Sequence, residues 1–243
     1  MLRLAVFLVL CCGFCHFALC DWAYSYGLHH LDMMSQDHHT EWSGIACAQR
    51  VANGELLAQF NNTAMQTSIQ FYKMSSHIMI VAHSSPWSID EINMHMCNAS
   101  LRMMHGEQDR EVKEESVGYH WYGLYKTSAS EAMSFYTNMI HGNYLYLKYP
   151  VVILGYQVGG TIAQLMAYEI LLSKHAHTRP RPLATNLKGV VVIDSPKVGN
   201  RAFSDALCKH ITCARILHEG DTTHKYPLMQ AYELSEHEKI AVY

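Results

Sequence analysis

The sequence predicts an α/β fold built on a mostly parallel central sheet. Short, continuously apolar runs alternate along the chain with longer stretches in which apolar residues recur at helical spacing. At one junction an apolar run passes through a glycine-containing turn directly into an apolar helix. Because parallel strands need a crossover that is usually a helix, this alternation predicts βαβ units.

Two apolar runs, residues 78–82 and 151–154, are predicted to be strands buried on both faces, as in parallel sheets. Two further strands are predicted over residues 189–193 and 214–218. Helical spacing or composition predicts helices over residues 89–96, 128–146 and 161–173, with a charged loop centred on 107–115. The segment from Asp21 to about Gln59 is polar and rich in His and Met, and it is expected to be irregular apart from a helix near Ile45 to Phe60.

Composition limits the classes of partner. The chain has 243 residues, 49% of them hydrophobic, which suffices for one domain with a substantial core. A formal net charge of -3 and the lack of a Lys/Arg run give no electrostatic reason to expect nucleic acid or an anionic membrane as partner. The paired histidines lack the spacing of a zinc site, and no dinucleotide or Walker motif occurs. We therefore expect neither a metal nor a cofactor.

The first twenty residues have the pattern of a secretory signal peptide. Arg3 precedes an apolar run from Leu4 to Leu10, and Ala18 and Cys20 supply small residues before the expected cleavage site. A membrane anchor is the alternative, but the stretch is short for a bilayer and is interrupted by Cys, Gly and His. Cleavage would leave a single secreted domain over residues 21–243.

Four cysteines would remain after cleavage: Cys47, Cys97, Cys208 and Cys213. An even number in an oxidising compartment predicts disulfides, although three connectivities are open. Close spacing favours a Cys208–Cys213 bridge, which would leave Cys47 for Cys97. Buried free thiols are the alternative interpretation.

Two Asn-x-Ser/Thr sequons begin at Asn61 and Asn98. Glycans at these asparagines would mark both segments as surface. Such tripeptides also occur by chance, so they support the signal-peptide interpretation without establishing it.

The residues Gly155-Tyr156-Gln157-Val158-Gly159 join a predicted strand to a predicted helix. This pattern is typical of a nucleophile elbow, in which small residues let strand and helix approach while the central side chain projects above the sheet. The central residue here is Gln157. Because a carboxamide has no ionisable proton and is a poor nucleophile, covalent acyl transfer is not expected at this position.

Three ordered blocks of the chain resemble the class 3 (fungal-type) lipases. Residues 152–165 are similar to that family's G-H-S-L-G-G-A-x-A-x-L block, residues 193–200 to its G-x-P-[RK]-V-G-N segment, and residues 215–227 to its R-V-x-H-x-x-D-I-V-P-x-x-P segment. The resemblance extends from about Ile78 to the last residue. It implies an α/β-hydrolase fold, with helices on both faces of the sheet, and a link to lipid metabolism.

The resemblance also assigns roles to residues around the elbow. It places Asp221 at the position of the triad acid and His237 at that of the base, with His224 as the competing histidine. The oxyanion donors would be Ser85 and the backbone N–H of Val158. The family's Arg-Gly pair before the oxyanion hydroxyl is absent here, and the replacement of its glycine by Ser84 implies an altered oxyanion geometry.

The segment from Trp87 to Met96 occupies the place of the lid helix in these lipases. Its apolar side chains could cover the site in water and contact a lipid surface when the lid opens. The alternative is a helix fixed in the core. The four residues that would form the apolar face are Trp87, Ile89, Ile92 and Met96.

These features favour a secreted lipase-like protein with impaired catalysis that binds a lipid, an ester or a protein partner of unknown identity. A second hypothesis is an active hydrolase that uses Ser84, Ser85 or Tyr156 as nucleophile, or in which Asp221 and His237 activate water. A third is a secreted interaction protein with no ligand in its pocket.

Overall fold

A computed structural model describes residues 54–84, 101–103, 115–142, 146–172, 186–217, 219–220, 222–226 and 233–242. The chain divides into two compact units, Met1–Ala52 and Asn53–Tyr243, and every described residue belongs to the second. The predicted signal peptide, the 89–96 helix and residues 107–114 of the predicted loop lie outside the described residues. No helix within the described ranges is long and apolar enough to cross a membrane.

A seven-stranded sheet forms the centre of the second unit. Its strands lie in the order β1-β2-β3-β6-β7-β8-β9, and all pairs from β3 to β9 are parallel. The strands are β1 (Glu55–Asn62), β2 (Thr67–Lys73), β3 (Ile78–Ser84), β6 (Val151–Tyr156), β7 (Leu187–Ile193), β8 (Thr212–Leu217) and β9 (Lys239–Val242). A separate antiparallel pair joins β4 (Leu101–Met103) to β5 (Ser116–Gly118). The four predicted strands correspond to β3, β6, β7 and β8.

The antiparallel edge of the sheet corrects the prediction of a helix from Ile45 to Phe60. Residues 55–62 form β1, which pairs with β2 in a hairpin that the apolar pattern did not predict. Its residues Glu55 to Gln59 favour helices when considered alone, but pairing with β2, which is buried from Thr67 to Tyr72, overrides this local preference. Residues 45–53 lie outside the described part of the chain.

Three described helices pack on one face of the sheet. They are α1 (Tyr119–Gly142), α2 (Val158–Leu172) and α3 (Arg201–Cys208), and two single 3₁₀ turns cover Tyr146–Lys148 and Thr223–Lys225. The first helix begins nine residues before the predicted 128–146 segment, because the buried Trp121, Leu124 and Tyr125 of its first turns already face the core. Within the described ranges all three helices contribute to this one core, so the expected helices on the second face are not seen there.

A disulfide joins Cys208 at the end of α3 to Cys213 in β8, as the cysteine spacing predicted. The bond closes a short loop between a helix and the next strand. Cys47 and Cys97 lie outside the described residues.

A buried ion pair ties the end of the chain to the sheet. Arg215 of β8 is fully buried, and its Nε lies 3.2 Å from Oε1 of Glu238, whose side chain is only 5% exposed. The guanidinium also donates a hydrogen bond through Nη1 to the carbonyl of Ser195, in the turn after β7. Arg215 therefore connects two segments that are distant in sequence.

We expect Glu238→Ala to lower the free energy of unfolding by about 3 kcal/mol or more, because it leaves the Arg215 charge buried without its counter-ion. Chemical denaturation would measure this loss. Glu236→Ala is the matched control, since Glu236 pairs with Arg201 at the surface, where an ion pair contributes little. Equal losses in the two variants would contradict the assignment of Arg215 and Glu238 as a structural pair.

Candidate functional site

The turn between β6 and α2 has the geometry of an elbow. Gln157 follows the last residue of β6 and has a φ of 49°, in the left-handed region that non-glycine residues seldom adopt. Its N–H donates to the carbonyl of Ile193 at 2.8 Å, and its carbonyl accepts from the N–H of Gly160 at 2.8 Å. The side chain of Gln157 therefore stands at the carboxyl end of the parallel strands, where α/β folds place their ligands.

Glycines allow the helix to begin directly against the sheet. A Cβ at Gly155 would lie 2.7 Å from Cβ of Ala163, and one at Gly159 would lie 2.5 Å from Cα of His83 in β3. A Cβ at Gly160 would lie 2.5 Å from Cβ of Ser195. Since contacts this short do not occur between real side chains, only glycine fits at these positions.

A second left-handed residue lies at the end of the neighbouring strand. Asp194 follows β7, has a φ of 49° and is 4% exposed, and its N–H donates to the carbonyl of Ile216 in β8 at 3.0 Å. In the G-x-P segment of the lipase pattern this position is glycine, which adopts a positive φ without steric cost. Asp194 was not among the predicted site residues, although an acid in place of that glycine was a signal.

The side-chain amide of Gln157 has a hydrogen-bond partner for its nitrogen but none for its oxygen. Its Nε2 donates a long hydrogen bond of 3.4 Å to the hydroxyl of Tyr156. Its Oε1 is buried and has no hydrogen-bond partner in the structure. A buried acceptor without a donor costs free energy, so this oxygen would gain from a hydrogen bond to a bound molecule.

The end of β3 contributes two further polar side chains, His83 and Ser84. His83 is aligned with Tyr156 in the parallel pair of β3 and β6. Its Nε2 and the hydroxyl of the buried Ser84 have no hydrogen-bond partner in the structure. Burial lowers the pKa of His83 to about 4, so its imidazole is neutral at physiological pH.

The structure does not bring His237 to Gln157. His237 is exposed in the turn before β9, at the end of the sheet where parallel strands begin, whereas Gln157 follows β6, where they finish. Strand pairing aligns Lys239 with Leu154 through Ala214 and Val191. Along the strand direction, Lys239 therefore lies roughly 10 Å before Gln157, and across the sheet it lies three strands, or roughly 14 Å, away. His237 comes before Lys239 in the chain.

His224 lies at the other end of the sheet, in the 3₁₀ turn that follows β8. It is half-buried, and because it follows the parallel strand β8 it lies at the same edge of the sheet as Gln157. Asp221, Ser85 and the four predicted lid residues lie outside the described part of the chain. Val158, predicted to supply an oxyanion N–H, is the first residue of α2 and is buried.

Of the two sequons, the structure describes the first. Asn61 is an exposed residue near the end of β1, and its Oδ1 accepts a hydrogen bond from Gln59 Nε2 at 3.0 Å. Exposure is compatible with the predicted glycosylation of Asn61. Asn98 lies outside the described residues.

Solved structures of fungal lipases share this fold. A lipase from Rhizopus microsporus var. chinensis is similar with a TM-score of 0.62 and 17% identity, covering 90% of this chain and 72% of that one. The Lip2 lipase from Yarrowia lipolytica gives 0.60 and 19%, covering 80% of this chain and 67% of that one. The triacylglyceride lipase of Rhizomucor miehei gives 0.58 and 15%, covering 90% and 78%. At such identities these similarities establish the fold, which is that of the α/β-hydrolases.

The family follows from the sequence itself. A family model described as lipase (class 3) matches residues 88–231, more than half of the chain. The chain therefore belongs to the class 3 lipase family, as the three sequence blocks indicated. No curated protein sequence matches the chain.

We expect Gly159→Ala to destabilise the protein by about 2 kcal/mol, because its Cβ would collide with the backbone of β3. Gly123→Ala in α1 is the control, since nothing lies within 4 Å of its Cβ and alanine favours a helix. That control should gain up to about 1 kcal/mol. Thermal or chemical unfolding would compare the two, and equal stability would contradict the close packing of the elbow.

We also expect stability to fall on acidification. The unfolded chain protonates His83 near pH 6.5, whereas the folded protein resists protonation until about pH 4. The stability due to neutral His83 is therefore complete above pH 6.5 and is lost as the pH falls toward 4, by about 3 kcal/mol at most. His83→Phe should flatten the pH dependence of the free energy of unfolding in this window. An unchanged slope would show that His83 titrates normally.

Proposed function

We propose that this chain is a secreted class 3 lipase-like protein with impaired catalysis, which binds a lipid or an ester at the carboxyl end of its parallel strands. The observation that carries the proposal is Gln157 at the centre of the elbow. A serine there would supply the nucleophile of an acyl transfer, whereas a carboxamide supplies none.

The expected cost of this substitution is large. Loss of the nucleophile from a serine-hydrolase triad lowers kcat by on the order of 10⁶, and the residual rate comes from binding and the oxyanion hole. Ser84 occupies the place of the oxyanion-loop glycine, so this residual contribution is expected to be weakened as well. Together the two replacements support a role other than ester hydrolysis.

Binding is supported by the polar groups that remain at the edge. The buried Oε1 of Gln157 can accept a hydrogen bond from a hydroxyl of a bound lipid or partial ester. The surface proposed to contact lipid is the predicted lid, with Trp87, Ile89, Ile92 and Met96. A protein partner at the same edge is the alternative occupant.

An active hydrolase with another nucleophile has less support. The hydroxyl of Ser84 has no hydrogen-bond partner in the structure, so no base activates it there. The hydroxyl of Tyr156 is instead an acceptor for the amide of Gln157. His237 lies at the opposite end of the sheet, which argues against water activation by this residue at the elbow.

Secretion forms part of the proposal because the amino-terminal pattern, the sequons and the cysteines agree. The Cys208–Cys213 disulfide is compatible with an oxidising compartment. Glycosylation of Asn61 would add a glycan at an exposed residue of β1.

The proposal is tested by measuring hydrolysis of short-chain esters and emulsified triglyceride by the purified protein beside Gln157→Ser. We expect no activity above background in the unmodified protein. If the remaining groups are still assembled, the serine variant should exceed background by on the order of 10²-fold or more. Gln157→Ala is the matched control, because it removes the amide without adding a nucleophile.

Hydrolysis by the unmodified protein that persists in Gln157→Ala would overturn the proposal and indicate a nucleophile elsewhere. Activity confined to the serine variant would identify residue 157 as the missing group. Inactivity of all three proteins would show that the base or the oxyanion hole is lost too, and a binding role would remain the proposal.

A further inference from the structure

The first sequon lies at the same edge of the sheet as the elbow. Strand β1 is antiparallel to β2, and β2 is antiparallel to β3, so β1 and β3 run in the same direction. Asn61, near the end of β1, is paired with Ser68, and Ser68 is paired with His83. His83 is aligned with Tyr156, the residue before Gln157. Asn61 is therefore level with the elbow and lies three strands, or roughly 14 Å, across the sheet from it.

The side chain of Asn61 is exposed and is oriented by a neighbour on its own strand. Its Oδ1 accepts a hydrogen bond from Gln59 Nε2 at 3.0 Å. Because this bond engages the oxygen of the amide, the Nδ2 atom, to which a glycan is attached, is directed away from Gln59. Thr63, the third residue of the sequon, is exposed as well. The folded chain therefore has room for a glycan at Asn61.

The middle residue of the sequon fixes the turn that follows β1. Asn62 Oδ1 accepts a hydrogen bond from the N–H of Met65 at 3.1 Å. Its Nδ2 donates to the carbonyl of Thr127 in α1 at 3.3 Å. These two bonds attach the turn between β1 and β2 to the helix. The turn therefore has a defined position next to Asn61.

The turn presents an apolar side chain at this edge. Residues 63–66 join β1 to β2 and are all exposed, and Met65 among them is a large apolar residue with 37% of its surface exposed. Residues 61–67 include no charged side chain, so no buried charge would oppose contact with hydrocarbon. A lipid surface that reached this edge would gain free energy by burying Met65.

We propose that an N-linked glycan on Asn61 shields Met65 and prevents this edge of the sheet from adsorbing to lipid surfaces. A glycan is bulky and hydrated, so burial of Met65 in lipid would also require removal of sugar hydroxyls from water. The separation of roughly 14 Å between Asn61 and the elbow keeps the glycan from occupying the place of Gln157. This inference rests on the secretion that forms part of the proposed function.

The test measures co-flotation of the secreted protein with phosphatidylcholine vesicles, after peptide mass spectrometry has determined whether Asn61 carries a glycan. Asn61→Gln and Thr63→Ala each remove the sequon, whereas Thr63→Ser retains it and is the matched control. We expect the first two variants to partition into the vesicle fraction about threefold more strongly, as burial of the exposed part of one methionine predicts. Thr63→Ser should partition like the unmodified protein.

Three further measurements separate shielding from other effects. Enzymatic removal of the glycan from the unmodified protein should give the same gain without any substitution that could affect folding. Met65→Ser in the Thr63→Ala background should abolish the gain, because it removes the apolar side chain and keeps the N–H that Asn62 binds. Ser100→Ala removes the second sequon and should leave vesicle binding unchanged.

The outcomes distinguish this inference from the proposed function. A secreted protein without a glycan at Asn61 would overturn the inference and leave impaired catalysis and ligand binding to the ester assay. Equal vesicle binding by the glycosylated and deglycosylated proteins would overturn it as well. A gain that survives Met65→Ser would show that the glycan does not act by covering Met65, and an equal gain in Ser100→Ala would show that its position does not matter.

Discussion

The close approach of α2 to the sheet is the constraint on which the rest of the site depends. Gly155, Gly159 and Gly160 leave no room for side chains between the helix and strands β3, β6 and β7. The helix must therefore begin immediately after the strand ends. One residue, Gln157, has to reverse the chain direction, and its positive φ follows from this geometry.

Hydrogen bonds to the next strand fix both left-handed turns. The N–H of Gln157 donates to β7, and the N–H of Asp194 donates to β8. Each turn is thus attached to the strand beside it, and Arg215 of β8 in turn binds the carbonyl of Ser195. A left-handed conformation costs roughly 1–2 kcal/mol for a non-glycine residue, and these backbone contacts offset that cost.

The sequence predicted the parallel centre of the fold but not its antiparallel edge. Strands β3, β6 and β7 contain continuous apolar runs because both of their faces are buried, and such runs are visible in one sequence. Strand β8 includes the buried Arg215 and has no such run. Strand β2 is buried from Thr67 to Tyr72, yet it includes the polar residues Thr67, Ser68 and Gln70. These residues interrupt the apolar run from which a buried strand would be predicted.

The site itself was predicted in part, for a physical reason. The glycine spacing identified the elbow, since close packing restricts residue type at positions close together in sequence. The choice of His237 depended on position along the chain, which does not determine the end of the sheet at which a residue lies. Only the pairing of β9 with β8 shows that His237 precedes its strand. His83 and Ser68 meet through pairing between strands, which one sequence does not reveal.

In this protein the backbone conformation of the elbow does not depend on a catalytic side chain at residue 157. Strained backbone persists where the surrounding structure determines it, and here the determinants are glycines and backbone hydrogen bonds, not the side chain at residue 157. A serine and a glutamine can occupy the same turn because neither side chain is needed to form it. The fold would thus tolerate loss of the nucleophile without losing its architecture. What the substitution changes is the chemistry at the edge, where a group that would attack an ester is replaced by one that can only donate and accept hydrogen bonds.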